Sequence, residues 1–410
     1  MPRPDRRTLL KGGLGLAAAP AIAQAAPAIV KGLPDVVVVG AGAFGAWTAL
    51  ELRERGAKVT LVDAYGPGNP RSSSGGETRN IRASYGDRDI YTRWTTEAWA
   101  MWNARQQEFG RQLIYPNGSL RVLSPEAMAA QPSLFRELGL PFEVLGPDEV
   151  NRRWPQYRFA EDEQVFYEVQ SGSVKAREAL IAVSEVFVQK GGVMQVGRAA
   201  TPAPGKGRLD ALMIDGQPLS AGSFVLACGP WLPKLLPDLL GDRIVCPRAE
   251  LFFVGSPPGD PRYRWEHAPN ITDRRVYTSA DNGGGYKIAA RRPGVFLDPD
   301  SGDRMPSADL VPQIEEYVKR RLPGLVGQPI VQSYVCQTEV TDNGHFLIDT
   351  YPDRPNLWIA GGGSGHGFKM GPKIGRYVAE RVAAAPQPAD LAKIFSLASH
   401  GPASQQSGHA

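Results

Sequence analysis

Cysteine is scarce. The 410 residues include three, Cys228, Cys246 and Cys336, with neither a Cys-x-x-Cys pair nor Cys/His ligand spacing. That argues against a metal site of the zinc type and against a disulfide framework. A single Cys228–Cys246 bridge stays open, with an odd cysteine left over. Long apolar runs are lacking as well. No stretch approaches the roughly 18 consecutive apolar residues of a membrane span, so the mature chain is expected to be soluble. Charge of one sign is equally sparse: 46 Lys and Arg against 42 Asp and Glu leave a formal +4. No basic block resembles a nucleic-acid surface, so electrostatic attraction of a substrate falls to a few local charges. The remainder, 42% hydrophobic and 21% charged, is ordinary globular composition for roughly two to three domain-sized units.

The first 32 residues read as a leader rather than as fold. Arg6 and Arg7, followed by Thr8, Leu9, Leu10 and Lys11, precede a Gly/Ala-rich, weakly apolar run and a small-residue exit. This order describes a cleavable export signal, and the arginine pair resembles the twin-arginine type. That implies the export machinery as a partner and a periplasmic destination.

Past the leader, Val36, Val37, Val38 and Val39 form a β-branched run, as expected of a parallel strand buried on both faces. Gly40-Ala-Gly-Ala-Phe-Gly45 follows at once, then a helix to Arg55 closed by Gly56, then a strand at 59–62 ending on Asp63. A lone G-x-G-x-x-G is weak, but this one follows a strand, opens a helix and is completed by an acid after the next strand. Gly40 permits the tight turn, Gly42 lets backbone approach a pyrophosphate, and Gly45 lets helix and sheet pack closely. The helix N-terminus offers its N–H groups to the pyrophosphate, and Asp63 accepts from the ribose hydroxyls. The fingerprint indicates a dinucleotide without distinguishing FAD from NAD.

Further along, the pattern predicts a helix over 90–109 with Trp94, Trp99 and Trp102 as core residues. It also predicts strands at 120–123, 193–196, 223–228 and 357–360, and helices over 177–190 and 372–383. Residues 248–295 alternate short strands and turns, suggesting a second, antiparallel sheet. The end, from Ser399, is small and polar and is expected to be disordered.

Blocks in constant order over roughly 350 residues carry a more specific message. They include Leu61-Val-Asp-Ala64, Ser74-Gly-Gly-Glu-Thr-Arg-Asn-Ile-Arg-Ala-Ser-Tyr-Gly86 and Val150-Asn-Arg-Arg-Trp-Pro155. Gly283-Gly-Gly-Tyr-Lys-Ile288, Cys336, Gly344-His-Phe-Leu-Ile-Asp349 and Ser364-Gly-His-Gly-Phe-Lys369 complete the series. The chain resembles the D-amino-acid-oxidase-like FAD oxidoreductases, in the branch of monomeric sarcosine oxidase and N-methyltryptophan oxidase. The resemblance implies an α/β fold: a Rossmann-type FAD-binding domain with a smaller antiparallel-sheet substrate domain. It implies a discontinuous FAD domain over 33–86, 150–235 and 325–390, a substrate domain over 87–149 and 236–324, and a tail over 391–410.

It also implies roles. Cys336 stands where relatives attach the flavin by a thioether, which would make the FAD covalent; Cys228 and Cys246 are left to packing. Arg82 and Lys369 match residues that hold a substrate carboxylate, a fork and a point charge respectively. Arg79 would lie near the flavin ring, and Lys287 matches the lysine that promotes reaction with molecular oxygen. Gly365 and Gly367 belong to the closing cofactor turn, and His366 is read as a histidine bonding flavin or backbone rather than as a base. A plainer reading sets Arg79 and Arg82 on one solvated helix face, three residues apart. The chain departs from relatives at Ser74 and Gly75, which replace histidines, and at Arg291, which replaces another. Tyr277 supplies a pocket tyrosine only if a gap is allowed. Such changes suit an amine larger or more acidic than sarcosine.

The activity implied is oxidation of the C–N bond of a secondary amine or N-substituted amino acid, with oxygen as acceptor and hydrogen peroxide as product. One alternative is an exported dehydrogenase of the same fold passing electrons to a quinone or cytochrome. Another is a flavin-binding accessory protein without turnover. For the leader, the expectation is direct: replacing Arg6 and Arg7 with Lys leaves folded protein in the cytoplasm on cell fractionation. Undiminished export of that variant would refute the assignment.

Overall fold

The computed structural model describes residues 27–273 and 276–403, without the side chains of residues 291–293. Arg6, Arg7 and the rest of residues 1–26 lie outside the described residues, as do the Arg291 side chain and residues 404–410.

Val36–Val39 is buried along its whole length, as a strand covered on both faces must be. It lies between Ser223–Leu226 and Val59–Asp63, parallel to both. These are the centre of a six-stranded sheet extended on one side by Val193–Val196 and on the other by Arg354–Gly361 and Leu347–Tyr351. The outermost pair is antiparallel. Helices Ala43–Glu54 and Gly371–Val382 cover this sheet. They approach so closely that a Cβ on Gly375 would stand 2.5 Å from the carbonyl carbon of Trp47. Trp47 and Trp102, both fully buried, meet edge to face with centroids 5.0 Å apart, a geometry that adds about 0.5–1.5 kcal/mol to the area they bury.

The second sheet has eight strands, from Ile330–Gln337 through Pro247–Val254, Tyr286–Phe296, Val276–Ser279, Asn270–Asp273, Ser119–Val122 and Val165–Glu168 to Phe142–Leu145. Its pairings are antiparallel except for Asn270–Asp273 beside Ser119–Val122. A three-stranded sheet joins Thr78–Ile81, Gly172–Lys175 and Ile114–Tyr115. Among the described residues, no helix is long and apolar enough to cross a membrane.

Packing redraws the boundaries expected from sequence. Helix Asp89–Glu108 joins the nucleotide core, because Trp94 and Trp102 pack beside Trp47 and Tyr377. Val150, Tyr157 and Val165 belong instead to the core of the eight-stranded sheet, and so does strand Ile330–Gln337. The tail from 391 is docked: Phe395 is fully buried and its carbonyl accepts from Ile348 N at 2.8 Å. Ser399 and His400 are hydrogen-bonded rather than disordered. Arg79 sits on strand Thr78–Ile81, so the shared helix face for Arg79 and Arg82 does not form.

The Trp47–Gly375 contact leaves no room for a methyl group. Gly375→Ala is expected to lose about 1–3 kcal/mol of stability, seen as a lower urea midpoint at unchanged m-value. An unchanged midpoint would show that the helices separate without cost.

Candidate functional site

The glycine turn opens a cavity of about 460 Å³ whose lining includes Gly40, Gly42, Asp63, Arg79, Gly365, His366 and Gly367. Gly40 has φ +105°, the left-handed region that a side chain resists. A Cβ there would also strike the Ala227 carbonyl. Gly45 does not line the cavity; it faces the Gly40 carbonyl beneath the turn, where any side chain would separate helix from sheet. Asp63 Oδ2 accepts from Ala41 N at 2.7 Å and Oδ1 from Tyr65 N at 2.8 Å. Burial nevertheless holds its carboxyl above the usual range. Cys228 lines the same cavity, where burial, then Asp63, pushes its thiol up to about 12. Cys228 and Cys246 are both unbridged.

One face of the eight-stranded sheet touches the lining of this cavity, because Arg79 and Ser73, which line it, contact Cys336 on that sheet. Directly opposed residues share a face, and the register sets Tyr334, Leu251, Ala289, Tyr277, Thr272 and Arg121 in a single row. By the two-residue alternation of strands, Cys336, Lys287 and Glu168 project from that face too.

Cys336 is buried, and Arg79 Nη2 approaches its sulfur at 3.4 Å. The same guanidinium donates to Thr78 O at 2.7 Å and Ser73 O at 2.5 Å. Lys287, 1% exposed, donates to Thr78 O at 2.9 Å and Thr78 Oγ1 at 2.6 Å. Its ammonium stands 5.4 Å from the centre of the Tyr277 ring. Burial, then the neighbouring Arg79, drives the Lys287 pKa well below the usual lysine value, against the pull of Cys336 and Glu77.

A second group lies at the other end of the row. Lys369 Nζ donates to Tyr85 Oη at 2.7 Å, and Arg82 packs over the same ring at 5.0 Å. Burial raises the Tyr85 phenol to about 12, so it stays neutral. Lys369 is held from behind, where Trp102 Nε1 donates to its carbonyl at 2.8 Å. His366 Nε2 faces the Gly344 carbonyl at 3.0 Å. A carbonyl only accepts, so Nε2 carries the proton and Nδ1, buried without a protein partner, keeps its lone pair. Burial, then Lys369, holds this imidazole well below its usual pKa, which makes it a weak base. Sequence reasoning missed Arg121 and Glu168. Both fall in short strands, and the register that turns them toward the site leaves no signature in local composition.

Residues 35–381 match the model of a family described as FAD dependent oxidoreductase. The chain belongs to the FAD-dependent oxidoreductase family. The dinucleotide is therefore FAD, and the residues present fit it: a Cβ-free cradle at Gly40, an open approach at Gly42 and an acid at Asp63. The chain is 29% identical over 361 residues to a monomeric sarcosine oxidase of Streptomyces avermitilis, covering 84% of this chain and 92% of the relative. It is 26% identical to an N-methyl-L-tryptophan oxidase of Yersinia pestis, covering 89% and 98%. The fold matches that of a fructosyl peptide oxidase from E. terrenum with TM-score 0.78 at 22% identity, covering 90% and 93%. This FAD enzyme accordingly shares the fold of that oxidase, and Arg79 is the cation of the two groups above that lines its cofactor cavity.

Proposed function

We propose that the protein oxidises the C–N bond of an N-substituted amino acid or secondary amine outside the cytoplasm, with oxygen as electron acceptor. The observation that carries this reading is Lys287, an amine buried on the cavity-facing row beside Arg79 and Cys336. Two similar proteins, the sarcosine and N-methyl-L-tryptophan oxidases, support the substrate class by their names.

When bound, FAD accepts two electrons and the hydrogen of the C–H bond beside nitrogen and delivers them to oxygen, giving hydrogen peroxide. The protein's part is to bind and orient. Arg82 and Lys369 hold the substrate carboxylate, leaving the amine toward the middle of the row. Tyr277 and Tyr334 wall that region with apolar rings and exclude water. Cys336 is the candidate thioether donor to the flavin, with Arg79 Nη2 3.4 Å from its sulfur. Lys287 supplies the charge that stabilises electron transfer to oxygen.

Two measurements test the parts separately. Flavin is expected to stay on the Cys336 peptide after acid denaturation and proteolysis, detected by mass; complete release from the wild type would refute attachment. For turnover, anaerobic reduction by N-methyl amino acids followed by stopped-flow mixing with oxygen separates the half-reactions. Lys287→Met is expected to be reduced at near-normal rate and reoxidised about a hundredfold more slowly, the kinetic equivalent of about 3 kcal/mol. Because the folded pKa of Lys287 is depressed, its cation is lost as pH rises through that lowered value. Wild-type reoxidation should therefore slow toward high pH, and the dependence should vanish in Lys287→Met. Sluggish reoxidation of the wild type at all pH values would instead indicate a dehydrogenase.

A further inference from the structure

Arg121 has no place in the chemistry above, yet it projects into the same site. Its Nη1 donates to Ser84 O and, at 2.8 Å, to Ser84 Oγ. Arg82 Nη1 donates to that same Ser84 O at 2.5 Å. Two guanidinium nitrogens sharing one acceptor lie within about 5 Å of each other, a like-charge approach that costs energy in a partly desolvated site. Glu168 is the nearby acid, and it is already committed. Its carboxylate accepts from the backbone N–H of Ala83 and Ser84 and from Ser84 Oγ at 2.7 Å.

The ledger of charge is therefore uneven. Among the described residues, Arg82, Arg121 and Lys369 bring three cations around Ser84 and Tyr85, and Glu168 is the carboxylate hydrogen-bonded there. An amine reacts in its neutral form, so a substrate contributes one negative charge per carboxylate. A monocarboxylate leaves the site one positive charge in excess, and a dicarboxylate balances it. Arg121 also has donor capacity to spare: its Nε is buried without a protein partner. Burial, then Arg82, brings its pKa down to about 9, against the pull of Glu168.

We infer that Arg121 forms, with Arg82, a second anion subsite, and that the substrate is an N-substituted amino acid with two acidic groups, such as an N-alkyl aspartate or glutamate. This rests on the oxidase reading for the reaction, but not for the binding. One carboxylate lies between Arg82 and Lys369, and the other is taken by Arg121 about two strand spacings, roughly 10 Å, from Tyr277.

The holoenzyme tests it in two ways. In turnover, N-methyl-L-aspartate and N-methyl-L-glutamate are expected to exceed N-methyl-L-alanine in kcat/KM by tenfold or more. Arg121→Met should bring that ratio down to about one, mainly through KM, and Arg121→Lys should restore much of it. In binding, thiodiacetate and (methylthio)acetate replace the reacting nitrogen by sulfur and are titrated by their perturbation of flavin absorbance. The diacid should bind more tightly, and Arg121→Met should erase the difference. If monocarboxylic amines reduce the flavin and diacids gain nothing, the subsite is refuted while the oxidase reading stands. If the diacid thioether binds preferentially through Arg121 but no amine reduces the flavin, the subsite stands and the oxidase reading falls. An equal loss for both ligand classes in Arg121→Met would mark the residue as a support for the Ser84 loop and overturn the inference.

Discussion

Backbone carbonyls act as counter-charges throughout the site. Thr78 O receives both Arg79 and Lys287, and Ser84 O receives both Arg82 and Arg121. These two oxygens, six residues apart on one segment, hold four cations in place with half-charges rather than full ones. A carboxylate in either position would neutralise its cation and remove it from the electrostatics available to a ligand. A carbonyl satisfies the donors, fixes their direction and leaves the positive charge uncompensated. The segment from Thr78 to Tyr85 can do this because its two ends are anchored differently. Thr78–Ile81 is a strand in the three-stranded sheet, and Glu168 clamps Ala83 and Ser84 through their amides.

The nucleotide half was readable because its determinants are local. Val36 to Asp63 specifies strand, turn, helix and strand within 28 residues, and the requirement for no Cβ at Gly40 and Gly45 is written directly as glycine. Arg82, Lys287, Cys336 and Lys369 were reached through motif blocks; the structure sets Lys287 and Cys336 on one sheet face and Arg82 and Lys369 on either side of Tyr85. Arg121 and Glu168 were not reached. Their neighbours in space, Thr272 and Ser84, are distant in sequence, and the pairing that unites them is a property of sheet order. The three-residue spacing of Arg79 and Arg82 suggested a helix face, yet pairing with Gly172–Lys175 wins and makes a strand.

The same distinction explains the domain boundaries. Helix Asp89–Glu108 follows the cation segment and reads as the start of a new unit, but its tryptophans carry so much apolar area that they dock on the nearest large core. Burial decides membership there, not order along the chain. Lys369 benefits directly, since its carbonyl is fixed by Trp102, which packs against Trp47 of the nucleotide helix. The geometry at Lys369 and that of the nucleotide helix are thus coupled through two indoles.

Sheet order has a consequence in time as well as in space. Val36 pairs with Ser223, and Phe224 in turn pairs with Leu357, so the first strand made is completed by strands from the middle and end of the chain. Loop closure over such separations is entropically slow, and topologies dominated by non-local pairing fold slowly. The wall of the cavity that carries Gly365 and Gly367 is synthesised last. During synthesis the early strands must wait with apolar faces exposed, a period in which chaperones have most to do and premature association is most damaging. The cavity, walled by residues from Val39 to Phe368, is complete only when the last of these strands and turns is in place.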